Sequence, residues 1–251
     1  MLWYNLQHMT NSIDQLPIQS IQRTPIEQAR QLLITRADSW SAITGQLWAL
    51  EKKNEHWIQV RAPIPVTLGK NGLQWAQGLV TWSAPATKKE GDWKTPVGAF
   101  TLSGAYGYAD AEEAAFVQLP YLPVTQQHKA VDDPNSRYYN QIVREDLVAE
   151  KDWQSAEEMR REDHLYQWGI IVDFNRRNIV PGGGSCIFMH LWRDADRYTA
   201  GCTAMAESDM VFLLRWLRPV PKPILVQGDR TNLEKLLPEL SLGNIVELLP
   251  D

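Results

Sequence analysis

Apolar and polar positions alternate in four short runs early in the chain: QLLITRA (31–37), GQLWALEKK (45–53), HWIQVRA (56–62) and PVTLGKN (65–71). An extended backbone sends successive side chains to opposite faces, so these runs, bordered by turn residues, predict antiparallel sheet. Lys70-Asn71-Gly72 reads as a hairpin turn, because Asn and Gly tolerate positive φ. Gly91-Asp92 and Thr95-Pro96 favour a loop within ATKKEGDWKTPVGAFTL (86–102), and Gly98 to Leu102 look like the entry to a strand. LYQWGIIVDFN (165–175) predicts a strand, its apolar stretch from Trp168 to Val172 interrupted only by Gly169. NIVPGGGSCIFMH (178–190) carries three glycines into a second, in which Cys186, Phe188 and His190 point one way and Ser185, Ile187 and Met189 the other.

The period lengthens at 207–217, where Met210, Leu213, Leu214 and Leu217 fall on one helical face. Glu207 and Asp209 sit in the first turn, where helix polarity favours acids, and Pro219 and Pro221 stop the helix. PILVQG (223–228) reads as a strand and LEKLLPEL (233–240) as a short final helix or turn. Two regions lack a clear pattern. Residues 1–27, with Pro17 and Pro25, predict an arm whose order depends on docking. Residues 131–164 are a polar excursion whose second half has helix-compatible charge spacing but fits an exposed segment equally well. The remainder, 28–251, reads as one mainly β unit with short helices around a mixed or sandwich-like sheet.

Composition adds exclusions. The chain has 251 residues and is long enough to bury a sizeable core. A formal net charge of -5, with basic residues adjacent only in pairs such as Arg160-Arg161, argues against nucleic acid as a partner. Two cysteines are too few for a disulfide framework and have no CxxC spacing. There is no run of 18 apolar residues to span a membrane, and MLWYNLQHMT does not read as a signal peptide. Eleven tryptophans fit an aromatic-lined groove, though buried packing explains most of them more simply.

The candidate chemistry lies in HLWRDADRYTAGCTAM (190–205). His190 stands at a strand end, where its side chain can face a cleft. Eleven residues, Leu191 to Gly201, suffice to bring Cys202 back to that end. Gly201 permits an unusual backbone angle beside the sulfur, and backbone N–H groups of Gly201 and Cys202 could hold an oxyanion. A helix beginning nearby would favour a thiolate if its end faced the sulfur. The residues alone leave two readings level: a base and nucleophile, or a structural histidine and a buried filler cysteine. Cys186, His164, His190 and Cys202 match no compact zinc spacing, and no cofactor is expected.

CIFMHLWRDADRYTAGCTAM resembles the active-site motif of the L,D-transpeptidase catalytic domain, the YkuD or ErfK family: a His, then Ser/Thr-x-Gly-Cys about a dozen residues on. Here these are His190 and Thr199, Ala200, Gly201 and Cys202. EGDWKTPVGAF (90–100) resembles that family's Thr-Pro-x-Gly-x-Phe block, matched by Thr95, Pro96, Gly98 and Phe100. TLGKNGLQW, VDDPNSRYYNQIV and YQWGIIVDFN look like blocks of its divergent branch. Ala204 departs from the Arg that most members carry, and Arg193, Arg197 or Arg137 are candidate replacements; Leu191 departs from the usual Gly.

The resemblance implies a catalytic domain over 28–251 acting on peptidoglycan stem peptides in the cell envelope, periplasmic or secreted. Cys202 would form a thioester with His190 as base, leading to cross-links. The alternatives are L,D-carboxypeptidase hydrolysis of a terminal D-alanine and a weakly active wall-binding module. Thr199 is expected to support the site, and Trp93, Thr95, Gly98, Tyr166, Arg193 and Arg197 to wall the cleft. A backbone carbonyl is the first choice to orient His190, ahead of Asp173, Asp194 and Asp196.

Overall fold

The computed structural model describes residues 18–82 and 88–249. In chain order it contains β1 (Ile18–Ile21), α1 (Arg23–Gln28), β2 (Gln31–Ala37), β3 (Thr44–Lys53), β4 (His56–Gln59), β5 (Ile64–Thr67), β6 (Leu73–Trp75) and β7 (Val80–Trp82). Then follow β8 (Thr95–Gly107), β9 (Tyr121–Pro123), β10 (His128–Val131), β11 (Ile142–Arg144), β12 (Ala156–Glu158), β13 (Trp168–Val172) and β14 (Phe188–Leu191). The chain ends with β15 (Thr203–Met205), α2 (Glu207–Trp216), β16 (Ile224–Asp229), α3 (Arg230–Glu239) and a 3₁₀ turn over Gly243–Leu248.

The fold is mainly β, with short helices and a mixed sheet. Its strands follow the order β13-β14-β15-β5-β3-β2-β16-β8, and β13 pairs again with β8, closing the path into a ring. The long β8 makes closure possible. Gly98 to Thr101 pair with β16, while Leu102 to Gly107 pair with β13. β2, β3 and β5 are antiparallel, as the alternation predicts, but β16 runs parallel to β2 and β15 parallel to β14. The apolar positions of the ring, with Met210, Leu213 and Leu214 of α2, make the main core. Leu217 is also fully buried, one residue past the end of α2.

A second core lies on the other face of β13–β14–β15. It gathers Tyr106, Val124, Ala130, Met159, Leu165, Tyr166, Cys186, Phe188 and Cys202. Its cover is the 131–164 excursion, which is neither helical nor merely exposed. β10 pairs with β11 and β12 in a three-stranded sheet. The charges that suggested a helix instead pair across turns, as in Arg137–Asp152 and Lys151–Glu145. Asn140 ties this cover to the ring, donating to the carbonyls of Phe174 and Asn175 and accepting from the Cys186 amide.

Three local expectations change. The 70–72 turn forms, with Gly72 at φ 74°, but it is no hairpin: β5 pairs with β3 and β15, whereas β6 runs parallel to β8. Thr95-Pro96 opens a strand rather than prolonging a loop. The strand read from Ser185 begins at Phe188, because Cys186 has φ 54° and breaks the extension. Within the expected arm, Ile18–Gln28 is docked: β1 pairs with β7, and Ile26 is buried in the core. The arm's first 17 residues, and Ala86 and Thr87 of the 86–102 segment, lie outside the described residues.

Candidate active site

β14 and β15 are adjacent parallel strands, with His190 opposite Ala204 and Met189 opposite Thr203. Alternation therefore puts His190, Phe188, Ala204 and Cys202 on one face. Ile187, Met189 and Met205 enter the main core on the opposite side. His190 and Cys202, the residue just before β15, are diagonal neighbours across the pair. Both line a cavity of about 430 Å³, together with Glu157, Arg161, Leu165 and Tyr166.

The loop before Cys202 is held from below and from within. Thr199 N–H donates to Leu68 O (2.8 Å), and Lys70 N–H donates to Thr199 O (3.0 Å). The Thr199 hydroxyl donates to Cys202 O at 2.6 Å and accepts from Gly201 N–H at 3.0 Å. This clamp occupies the Thr199 hydroxyl with the backbone on either side of the Gly201–Cys202 peptide. Gly201 has φ 137°, and a Cβ there would lie 2.8 Å from Lys94 O. Only glycine passes this point without strain. Behind it the buried Lys88 ammonium pairs with Asp92 at 2.5 Å.

The His190 Nδ1 lies 2.7 Å from Leu191 O. A carbonyl accepts only, so the proton belongs on Nδ1 and Nε2 is left as the basic nitrogen. The orienting group is thus a backbone carbonyl. Asp173 instead accepts from the Thr101 hydroxyl, and Asp194 and Asp196 do not line the cavity. The Tyr166 ring packs edge-on against the imidazole at 5.3 Å, and its hydroxyl donates to Glu157 at 2.5 Å.

The sulfur rests between backbone groups. It accepts from Phe188 N–H at 3.3 Å, and its S–H points to Cys186 O at 3.5 Å. Burial pushes the Cys202 thiol up to about 12, with the Glu157 carboxylate adding to the effect; Phe188 N–H, Lys88 and Arg161 oppose it. Burial likewise pulls His190 down to about 4, against the Leu191 carbonyl. Both groups are therefore neutral at pH 7, so the resting pair is not a thiolate and imidazolium. α2 buries its apolar side in the main core, and at the sulfur burial dominates.

Trp93, Tyr166, Arg193 and Arg197 line the cavity. Trp93 and Tyr198 form an exposed edge-on pair at 6.4 Å, with the Lys70 ammonium over both rings. Thr95 and Gly98 are not cavity wall. Thr95 is fully buried and accepts from Gly69 N–H, while Gly98 faces the Phe100 ring and Ala76 O. Arg137 is occupied with Asp152 and Glu150 and does not line the cavity. Sequence reading missed Glu157 and Arg161. Arg161 is forked onto Asp163 and lies over the Tyr166 ring at 5.2 Å. Nothing local marks either residue; only the pairing of β12 with β10 brings this segment over the site.

The histidine and the Thr-x-Gly-Cys segment share one face and one cavity, and the L,D-transpeptidase catalytic domain (YkuD) family model matches residues 43–226, spanning both. The chain belongs to the YkuD family. The YkuD family is a cell-wall- and peptidoglycan-associated enzyme family, typically of the cell envelope. No curated protein matches the sequence. A solved structure, that of Bdellovibrio bacteriovorus Bd1075, is similar at TM-score 0.42 and 13% identity over 93% of this chain and 62% of that one. The chain thus spans about three fifths of that protein's length. Among the described residues of this YkuD chain, no three His, Cys, Asp or Glu side chains cluster as metal ligands, and no helix is long and apolar enough to cross a membrane.

Proposed function

We propose that this YkuD chain is a cysteine-dependent acyltransferase of the cell envelope that acts on peptidoglycan stem peptides. The supporting observation is the parallel β14–β15 register, which gives His190 and Cys202 a common face in one cavity. The S–H must turn from Cys186 O towards His190 Nε2. As the proton moves to Nε2, the sulfur attacks the carbonyl carbon of the L-centre preceding the terminal D-alanine. The Cys202 amide is the first candidate to hold the oxyanion, because Gly201 N–H is engaged by Thr199 at rest. D-alanine leaves as the amine, taking the proton from His190. The side-chain amine of a second stem then displaces the thiol and forms the cross-link.

Starting from neutral partners suits a burial-dominated site, since a preformed ion pair would lose its hydration without an added counter-charge. A second reading is L,D-carboxypeptidase activity, in which water resolves the thioester. It is favoured by Ala204 opposite His190, which leaves no side-chain donor there to hold an acceptor. A third is a weakly active wall-binding module, favoured by the high thiol value. Incubation with defined tetrapeptide muropeptides, followed by mass analysis, separates the three. Cross-linked dimer supports transfer, tripeptide product supports hydrolysis, and unchanged substrate that still binds supports the module.

A further inference from the structure

A second cavity, of about 1000 Å³, opens where β13 ends, between the start of α1 and the 220–222 segment. Its charged lining is one-sided: Arg23, Arg176, Arg177 and Lys222 face a single acid, Asp173. Asp173 is already occupied, accepting from the Thr101 hydroxyl at 2.6 Å and lying 3.4 Å from the Lys222 ammonium. The three arginines are thus left in excess. Arg177 donates to Gln22, and Arg23 to the Glu239 carbonyl at 3.0 Å; neither is neutralised by an acid.

Arg176 is the most telling of them. It is half-buried and has neither a hydrogen bond nor an ion pair among the described residues. Burial lowers its proton affinity, and only the charges of Asp173 and Cys186 oppose that effect. A guanidinium partly removed from water and without a partner gains from an anionic ligand. Its five donors form a planar fork suited to oxyanions. Val220 and Pro221 give the same cavity an apolar wall for an organic body.

We propose that this cavity binds a phosphate-bearing organic ligand, with Arg176 as the central phosphate contact. A carboxylate would carry one charge into a cavity with a surplus of three; a phosphomonoester or polyphosphate answers more of it. The phosphomonoester could belong to a soluble metabolite or to the headgroup of a lipid such as phosphatidic acid, and the chemistry is the same.

The test uses the full chain. Calorimetric titration with glycerol phosphate and with pyrophosphate examines the soluble source; flotation with phosphatidic acid vesicles, against phosphatidylcholine, examines the lipid source. Binding of either kind is expected in the wild type and at least about tenfold weaker in Arg176→Gln. Because Arg176 has no partner to lose, that variant should unfold at the same or a higher temperature. Asp173→Asn, which keeps an acceptor for Thr101, should tighten binding. Absence of binding to every probe overturns the proposal. So does undiminished binding by Arg176→Gln, or a fall in its unfolding temperature with binding retained, which would make Arg176 structural. The readout does not involve Cys202 and is independent of acyl transfer.

Discussion

The two faces of β13–β14–β15 are made by the same strands and could hardly differ more. On the inner face Ile170, Ile187, Met189 and Met205 pack with the apolar side of α2 and bring no titratable group. On the outer face Phe188, His190 and Cys202 meet Tyr166, Glu157 and Arg161 beneath the excursion. The inner face is made largely of ring strands and α2; the outer one is completed by a sheet inserted between β9 and β13. The difference shows how a fold can keep its stability and its chemistry apart: alternation along one strand delivers adjacent residues to separate jobs.

The sharpest break of that comparison uses the two cysteines. Cys202→Ala should abolish acyl-enzyme formation on a tetrapeptide muropeptide, a loss of at least about a thousandfold in rate, with little change in unfolding. Cys186→Ala should keep the chemistry and lose only packing, since the Cys186 sulfur meets Val131 O and it is its backbone carbonyl that meets Cys202. Peptide mapping of the acylated cysteine decides between them. On the inner face the effects reverse. Leu214→Ala, at a fully buried position, should cost about 2–5 kcal/mol in urea unfolding while the remaining folded protein retains its acylation rate per molecule.

A third prediction separates the faces by pH. His190 titrates near 4 when folded, below the ordinary histidine value, so between these values the unfolded chain binds more protons. Its contribution to stability is present above about pH 6.5 and is lost as pH falls towards 4, by roughly 3 kcal/mol. Urea unfolding at pH 7 and pH 4.5 should show this loss in the wild type and a smaller one in His190→Gln. The smallest effect belongs to Glu157→Gln. Removing that carboxylate takes away the second contribution raising the Cys202 thiol, so the pH curve for alkylation by iodoacetamide should move to lower pH. A curve unmoved, or moved upward, would detach Glu157 from the sulfur.

The same contrast explains what could be read from sequence. β2 falls on QLLITRA without a residue of error, and α2 within one, because each has an uninterrupted period and clear stops. That His190, Cys202 and Thr199 lie together was legible because their placement depends on a short stretch and one crossover loop. The excursion was not. Its EKDWQSAEEMRRED run has charges at helical spacing, but Trp153 and Met159 are buried and β12 takes its partner from β10, about 27 residues earlier. Glu157 and Arg161 reach the site only through that pairing. The resemblance of the Thr-Pro-x-Gly-x-Phe block implied Thr95 and Gly98 as cleft wall, yet strand alternation and the parallel β6–β8 pairing carry them behind it.

The proposed chemistry needs one relation, the imidazole of β14 serving the sulfur that precedes β15. Intact-protein mass spectrometry after exposure to a carbapenem, applied to the wild type, Cys202→Ala and His190→Ala, tests it most directly. One adduct, mapped to Cys202, absent from Cys202→Ala and formed far more slowly in His190→Ala, is the predicted result. An adduct on Cys186, or one that forms on Cys202 at full speed without His190, would contradict it.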